Sequence, residues 1–287
     1  MSTEHTHVRR LLAAVALTLA VLVVESSAPT SGASPRPAPV EATASGTELS
    51  VPEAGAVRPG TTTFRVRNVD SAERWIGLAR LRPGFAPETF VDRMRRAVHG
   101  PAEEGAVARW NEAAEMLGGV SVAAHEARTF TQFLTPGTYY LVDYQSLREA
   151  DPLGRVRAIT VRGAGWHVEV PEADHVVVLY STPGGTRFHA PARIAPTAKL
   201  LVINASGLLE EAMLRRVRPG TTDRDVTDYF LGFGPDPFPP ASPPGQGLAP
   251  TAPGRSGHTD VELTPGRYVL ISWINDYTNT HRIVDVT

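Results

Sequence analysis

Three short blocks of this chain occur twice, in one order and at nearly constant spacing. Phe64-Arg65-Val66-Arg67-Asn68 is answered by Leu200-Leu201-Val202-Ile203-Asn204, 136 positions later. Arg80-Leu81-Arg82-Pro83-Gly84 is answered by Arg216-Val217-Arg218-Pro219-Gly220 at the same offset. Leu134-Thr135-Pro136-Gly137-Thr138-Tyr139 is answered by Leu263-Thr264-Pro265-Gly266-Arg267-Tyr268, at an offset of 129 because the segment between is shorter. Such self-similarity predicts one unit built twice. The 287 residues accommodate two domains of ordinary size. The expected division is 47–163 and 164–287, hinged at Gly163-Ala164-Gly165.

Each copy patterns as β. Phe64 and Val66 alternate with Arg65 and Arg67, and Tyr140 and Val142 alternate with Tyr139 and Leu141 after a Pro-Gly turn. Trp166, Val168 and Val170 alternate with His167 and Glu169, and Val176 to Tyr180 is a short apolar run. The copies close on β-rich ends, Val156 to Val161 and Arg282 to Val286. Short strands punctuated by turns imply a sandwich. Between the Arg-Pro-Gly and Thr-Pro-Gly blocks the pattern turns helical. Pro87 opens a helix with Phe90, Met94 and Val98 on one face, and a second helix is expected from Ala102 to Leu117. In the second copy, Thr222 with Asp225 reads as a capping box, Val226 and Phe230 form an i, i+4 pair, and Gly232 stops the helix. The Pro-rich stretch from Pro235 to Pro253 is expected to be an irregular loop.

A strand ending in Asn, a strand running into Pro-Gly, a short helix and then Leu-x-Pro-Gly-x-Tyr-x-Leu resembles the secreted cupredoxin-like domains of bacteria. The resemblance covers both halves, about 48–163 and 164–287. It implies a mainly β fold: two tandem Greek-key cupredoxin-like β-sandwiches, each with a helical or loop insertion. In copper-binding members a His follows that Asn by about six residues and a Cys follows Tyr-x-Leu-x. On this chain the first position falls on Arg74 and Glu210, and the second on Asp143 and Ser272. The resemblance therefore implies a fold without its copper.

The residue chemistry points the same way. The chain has no cysteine, which removes thiolate catalysis, disulfides and any copper site built on a Cys thiolate. An alternative metal site would draw on His258, Asp260 and His281, with Glu262 and Asp276 nearby. The competing reading is that 258, 260 and 262 form the polar outer face of a strand. His99, His125, His167, His175 and His189 are scattered without ligand spacing. No nucleophile elbow, phosphate loop or His-Glu-x-x-His motif occurs, so no catalytic residue and no cofactor are expected. Asp223, Asp225 and Asp228 suit the first turns of a helix, where negative charge offsets the macrodipole.

Charge excludes another class. Residues 46–163 carry 15 Arg against 14 acids, and 164–287 carry 10 basic residues against 13 acidic ones. Neither half has the basic excess that nucleic acid requires. The reading is an exported, non-catalytic protein with a binding or envelope-structural role, its partner an unidentified protein or envelope component. The alternative is an extracytoplasmic metal-handling protein using the non-blue His/carboxylate site. Variable chemistry belongs in the insertions, which makes Trp110, Phe233 and Phe238 the candidate partner-binding residues. The same aromatics could instead pin each insertion to its own sandwich.

Export itself is read from the order Arg9-Arg10, an apolar run from Leu11 to Val24, and small residues up to Ala33. That is the layout of a secretory signal over 1–33, too short in its apolar part to span a bilayer, followed by a flexible spacer at 34–46. No transmembrane segment is expected once the signal is removed. N-terminal sequencing of material collected outside the cytoplasmic membrane should find the mature chain starting between Ser27 and Ser34; full-length protein confined to the cytosol would refute export.

Overall fold

A computed structural model describes residues 37–46, 48–51, 57–100, 103–148, 152–164, 166–240, 245–275 and 278–287. The signal and the first three residues of the spacer, 34–36, lie outside them. The period-2 segments form strands as their patterning requires, and the protein is mainly β, with two mixed sheets facing each other. One sheet runs, in spatial order, Gly185–His189, His175–Thr182, Thr197–Ala205, Ser256–Glu262, Ala127–Leu134, Gly60–Asn68, Val40–Ala44 and Leu49–Ser50. The other runs Arg193–Ile194, His281–Val286, Gly266–Ile271, Glu210–Arg216, Gln246–Thr251, Ala114–Val122, Arg74–Leu81, Gly137–Asp143 and Val156–Val161. Both sheets are continuous across the midline of the sequence. The seams are narrow: His258 and Thr259 pair with Thr131 and Phe130 in the first sheet, and Thr251 pairs with Leu117 in the second. One apolar core threads between the sheets, from Ala42 to Val286.

The repeated blocks mark the same contacts in each half. Asn68 ends a strand of the first sheet, yet its Nδ2 donates to the carbonyl of Val122 in the second sheet at 3.0 Å and to that of Ala72 at 2.7 Å. Asn204 does the same with Thr251 at 2.6 Å and Leu208 at 2.8 Å. Each Oδ1 also accepts a backbone N–H, from Asp70 and from Ser206. The Tyr139 and Tyr268 hydroxyls donate back to the carbonyls of Thr135 and Thr264, at 2.9 and 3.0 Å. Arg80 and Arg216 reach those same two threonines through Oγ1. The repeated glycine is needed for this: Gly137 and Gly266 have φ of +149° and +151°, and a Cβ on either would press on the Arg80 or Arg216 guanidinium.

Three helices follow the expected starts more closely than the expected ends. Helix α1 spans Pro87–His99 with Pro at its first turn and buries Phe90, Val91 and Met94; Val98 is exposed. Helix α2 covers only Ala106–Ala113, and the rest of the expected Ala102–Leu117 helix is a strand from Ala114. Helix-favouring alanines lose here to sheet pairing with Arg74–Leu81. Gly119 forces that pairing, because its φ of +151° brings it so close to the Ile76 carbonyl that no Cβ fits. Helix α3, Asp223–Phe230, carries the full Thr222/Asp225 capping box.

Other expectations are corrected. The Pro-rich stretch is not all loop, since Gln246–Thr251 is a strand at the centre of the second sheet. Gly247, at φ +153°, lets it approach the Ala212 carbonyl. Within the spacer, Val40–Ala44 is a strand parallel to Gly60–Asn68, with Ala42 and Ala44 buried. Alanine is a weak β-former, so composition hid it. Conversely, 166–170 forms no strand beyond one bridge from His167 to Gly60. Val40–Ala44 takes the edge of Gly60–Asn68 only from Phe64 onward, and 166–170 meets the remainder through His167 alone, with Trp166, Val168 and Val170 exposed.

Since each Asn bridges both sheets, Asn68→Ala and Asn204→Ala strand several buried carbonyls and N–H groups at once. Each is expected to lower unfolding free energy by about 2–4 kcal/mol, measured by urea denaturation, whereas the exposed Arg65→Ala should change it little.

Candidate functional site

The positions where the resemblance implies copper ligands are occupied by protein pairs. Arg74, at the start of its strand, places Nη1 3.2 Å from Asp143 Oδ2 at the end of the adjacent strand. Its Nε donates to Asp70 Oδ2 at 2.8 Å, and Ser146 Oγ donates to Asp143 at 2.6 Å. In the other half the Ser272 hydroxyl donates to Glu210 Oε2 at 2.5 Å, and both residues are fully buried. One half thus holds a cation and the other an anion where the ligand set would begin.

The alternative metal site is not assembled. His258, Asp260 and Glu262 lie in the first sheet, spaced along one strand, while His281 starts a strand of the second. Asp260 takes a hydrogen bond from Thr129, and the His281 Nε2 lies 2.9 Å from the Asp223 carbonyl oxygen. Among the described residues no three His, Asp or Glu side chains group around one point. Asp276 lies outside them.

Of the three candidate anchors, Phe233 is 83% exposed on the turn after α3. Trp110 and Phe238 are buried. Phe238 packs edge-on against Tyr229 and beside Trp273, with the Arg215 guanidinium 4.5 Å from its ring centre. Trp110 is 0% exposed and walls a cavity instead.

That cavity, of about 250 Å³, lies where the two halves meet. Its walls include Trp75, Trp110, Tyr144, Trp273, His99 and Glu211. Glu211 sits at a β-bulge: pairing between its strand and Gln246–Thr251 shifts register between Glu210 and Ala212. Bulges re-aim side chains, and Pro250 on the opposing strand has no N–H to close the ladder there. Glu211 Oε1 accepts the Trp273 backbone N–H at 3.1 Å. Three buried polar atoms here have no hydrogen-bond partner among the described residues: Glu211 Oε2, the Tyr144 hydroxyl and Trp110 Nε1. The rings are held from behind. Trp75 Nε1 donates to Glu73, and Phe230 backs Trp273 edge-to-face. The Tyr144 ring needs Gly77 beneath it, since a Cβ there would lie 2.2 Å from its hydroxyl oxygen. Arg148 Nε donates to His99 Nδ1, which leaves Nε2 to donate to the Tyr144 carbonyl at 2.8 Å.

Burial pushes the Glu211 carboxyl up to about 8; the Trp273 N–H opposes this, and the Glu210 charge adds to it. Burial, with the Glu211 charge, also holds the Tyr144 phenol well above its ordinary range. A buried carboxyl among aromatic faces can donate a proton, accept a hydrogen bond or balance a cation.

Sequence reasoning missed Glu211, Tyr144, Trp75 and Trp273, though a sign was present. Trp75 and Glu211 are 136 apart, and Tyr144 and Trp273 are 129 apart, the offsets of the repeat itself. Two pairs of equivalent positions therefore converge on one cavity.

No family model and no curated protein matches the chain. Among solved structures it is similar to a multicopper oxidase at 14% identity and a TM-score of 0.25, over 86% of this chain and 88% of that one. A copper nitrite reductase from Nitrosomonas europaea matches at 13% and 0.25, over 87% and 94%. Auracyanin from Roseiflexus castenholzii matches at 14% and 0.26, over 40% of this chain and 99% of that one. Likenesses this distant say nothing of activity.

Between about pH 4.5 and pH 8 native Glu211 keeps a proton that the unfolded chain has lost, so stability must fall as pH rises through that window and level off above it. The slope is at most about 1.4 kcal/mol per pH unit. Glu211→Gln should flatten this part of a denaturation series taken against pH; an unchanged slope would show that the carboxyl is not the group responsible.

Proposed function

We propose that this is an exported, copper-free, tandem cupredoxin-like protein that works by binding rather than catalysis, its halves meeting at 163–164. The reading is carried by one observation: the four positions at which the family resemblance puts the first His and the Cys are tied up as Arg74–Asp143 and Ser272–Glu210. A guanidinium repels a metal cation, and a serine hydroxyl has far too high a pKa to replace a thiolate. Charge-assisted hydrogen bonds now span the gap that a metal would bridge. The binding surface of such a protein is whatever its halves hold apart or between them. The order of the N-terminal residues supports export, with 1–33 as the signal.

The metal-handling alternative has no observation in its favour, given that its histidines stand on different sheets. The purified mature chain is expected to stay colourless with Cu(II) and to lose all copper on dialysis against a chelator. An intense blue charge-transfer band, or one copper retained per chain, would overturn the reading.

A further inference from the structure

The cavity between the halves combines aromatic walls with buried polar groups from both halves. Its three unpartnered polar atoms belong to side chains more than nine-tenths buried, and they come from both halves. A buried donor or acceptor left unmade is destabilising, and packing alone would have favoured apolar residues at these places. The rings limit what can enter. Trp75, Trp110, Tyr144 and Trp273 line the space, and aromatic faces carry negative potential. That potential raises the cost of ionising Glu211, and a cation resting among the faces relieves both at once. Trp110 Nε1, by contrast, can only donate. The occupant must therefore offer a positive group to the rings and carboxylate and an oxygen acceptor to the indole N–H.

The geometry points to a small organic cation bearing a hydroxyl, an amino alcohol or its quaternary form, held between the halves by Glu211, Trp75, Trp110, Tyr144 and Trp273. This deepens the binding reading above and rests on it. The carboxylate offsets the charge, the rings supply cation–π contact, and Trp110 sets the orientation. Val98, exposed at the rim on α1, marks the side from which a ligand enters. A neutral sugar would satisfy the donors but leave the aromatic faces and the buried carboxyl without a counter-charge.

Binding of a cation requires the ionised form of Glu211, so entry expels its proton. Around it stand Glu210 on the same strand, Tyr144 and His99 across the cavity, Arg148 behind His99, and Glu73 and Arg215 behind Trp75 and Trp273. With the carboxyl's midpoint at about 8, apparent affinity should rise about tenfold per pH unit up to that value and then level off.

Choline is the probe, titrated into the full mature chain by calorimetry and tryptophan fluorescence. The expected result is saturable binding with close to one proton released per choline at about pH 7, and affinity about fivefold higher at pH 8 than at pH 7. Folded Glu211→Gln, which removes the carboxylate partner of the cation, should bind about 30-fold more weakly at pH 8, with the pH dependence gone. Trp75→Ala, at a half-exposed position, should also weaken binding. No saturation up to about 50 mM choline at pH 9, too weak to count as specific, overturns the proposal. So does glucose binding in choline's place, or an affinity that Glu211→Gln leaves unchanged. Should that variant not fold, a flat wild-type affinity from about pH 6 to 8 overturns it as well. None of these results bears on copper retention, so the cavity can fail as a cation site while the copper-free reading stands, and the reverse.

Discussion

Two asparagine side chains, Asn68 and Asn204, hold the sheets of this protein together at one end of each half. Each sits on a strand of the first sheet and donates to a carbonyl of the second. Hydrophobic burial drives sheets face to face but is nearly indifferent to sliding. An amide with four hydrogen-bonding sites, all enclosed, is not indifferent, because a slip of one residue leaves buried groups unmatched. The clamp therefore fixes the stagger of Arg74 relative to Gly60–Asn68, and of Glu210 relative to Thr197–Ala205. Everything built on those strand starts inherits that placement, including the two closed ligand positions and Glu211.

This explains why the fold was legible and the site was not. The repeat is visible where the backbone itself needs a particular side chain: an amide to span two sheets, a glycine with positive φ beside an arginine, a tyrosine folded back on its own turn. Such demands are the same in both halves, so the residues match. The cavity obeys the opposite rule. Its walls occupy equivalent positions too, but each half brings a different residue, Trp75 against Glu211 and Tyr144 against Trp273. Matching by similarity passes over them for that reason. Trp110, expected from the sequence to be an anchor on a helix surface, is buried in the wall of the cavity. Phe238 was singled out likewise and lies behind Trp273.

The Arg74–Asp143 and Ser272–Glu210 pairs differ between the halves in a way that matters electrostatically. Arg74 between Asp70 and Asp143 is a charged group with its counter-charges at hand. Glu210 has a hydroxyl donor in Ser272, and its charge is felt at Glu211 next to it. The half with the cation leaves its side of the cavity neutral and aromatic, through Trp75 and Tyr144. The half with the acid supplies the carboxyl.

The seams have a further consequence. Ala127–Leu134 and Ala114–Val122 are interior strands only because Ser256–Glu262 and Gln246–Thr251 lie beside them. Either half alone would end in open ladders on both sheets, the exposed edges that recruit foreign strands and grow into aggregates. The exposed carboxylates Asp260 and Glu262 charge the strand at one such edge. During synthesis the first half emerges with no such protection. Its solubility then depends on how soon the second arrives, and a cell making this protein has reason to translate it without pause or to keep the nascent chain attended until both halves have joined.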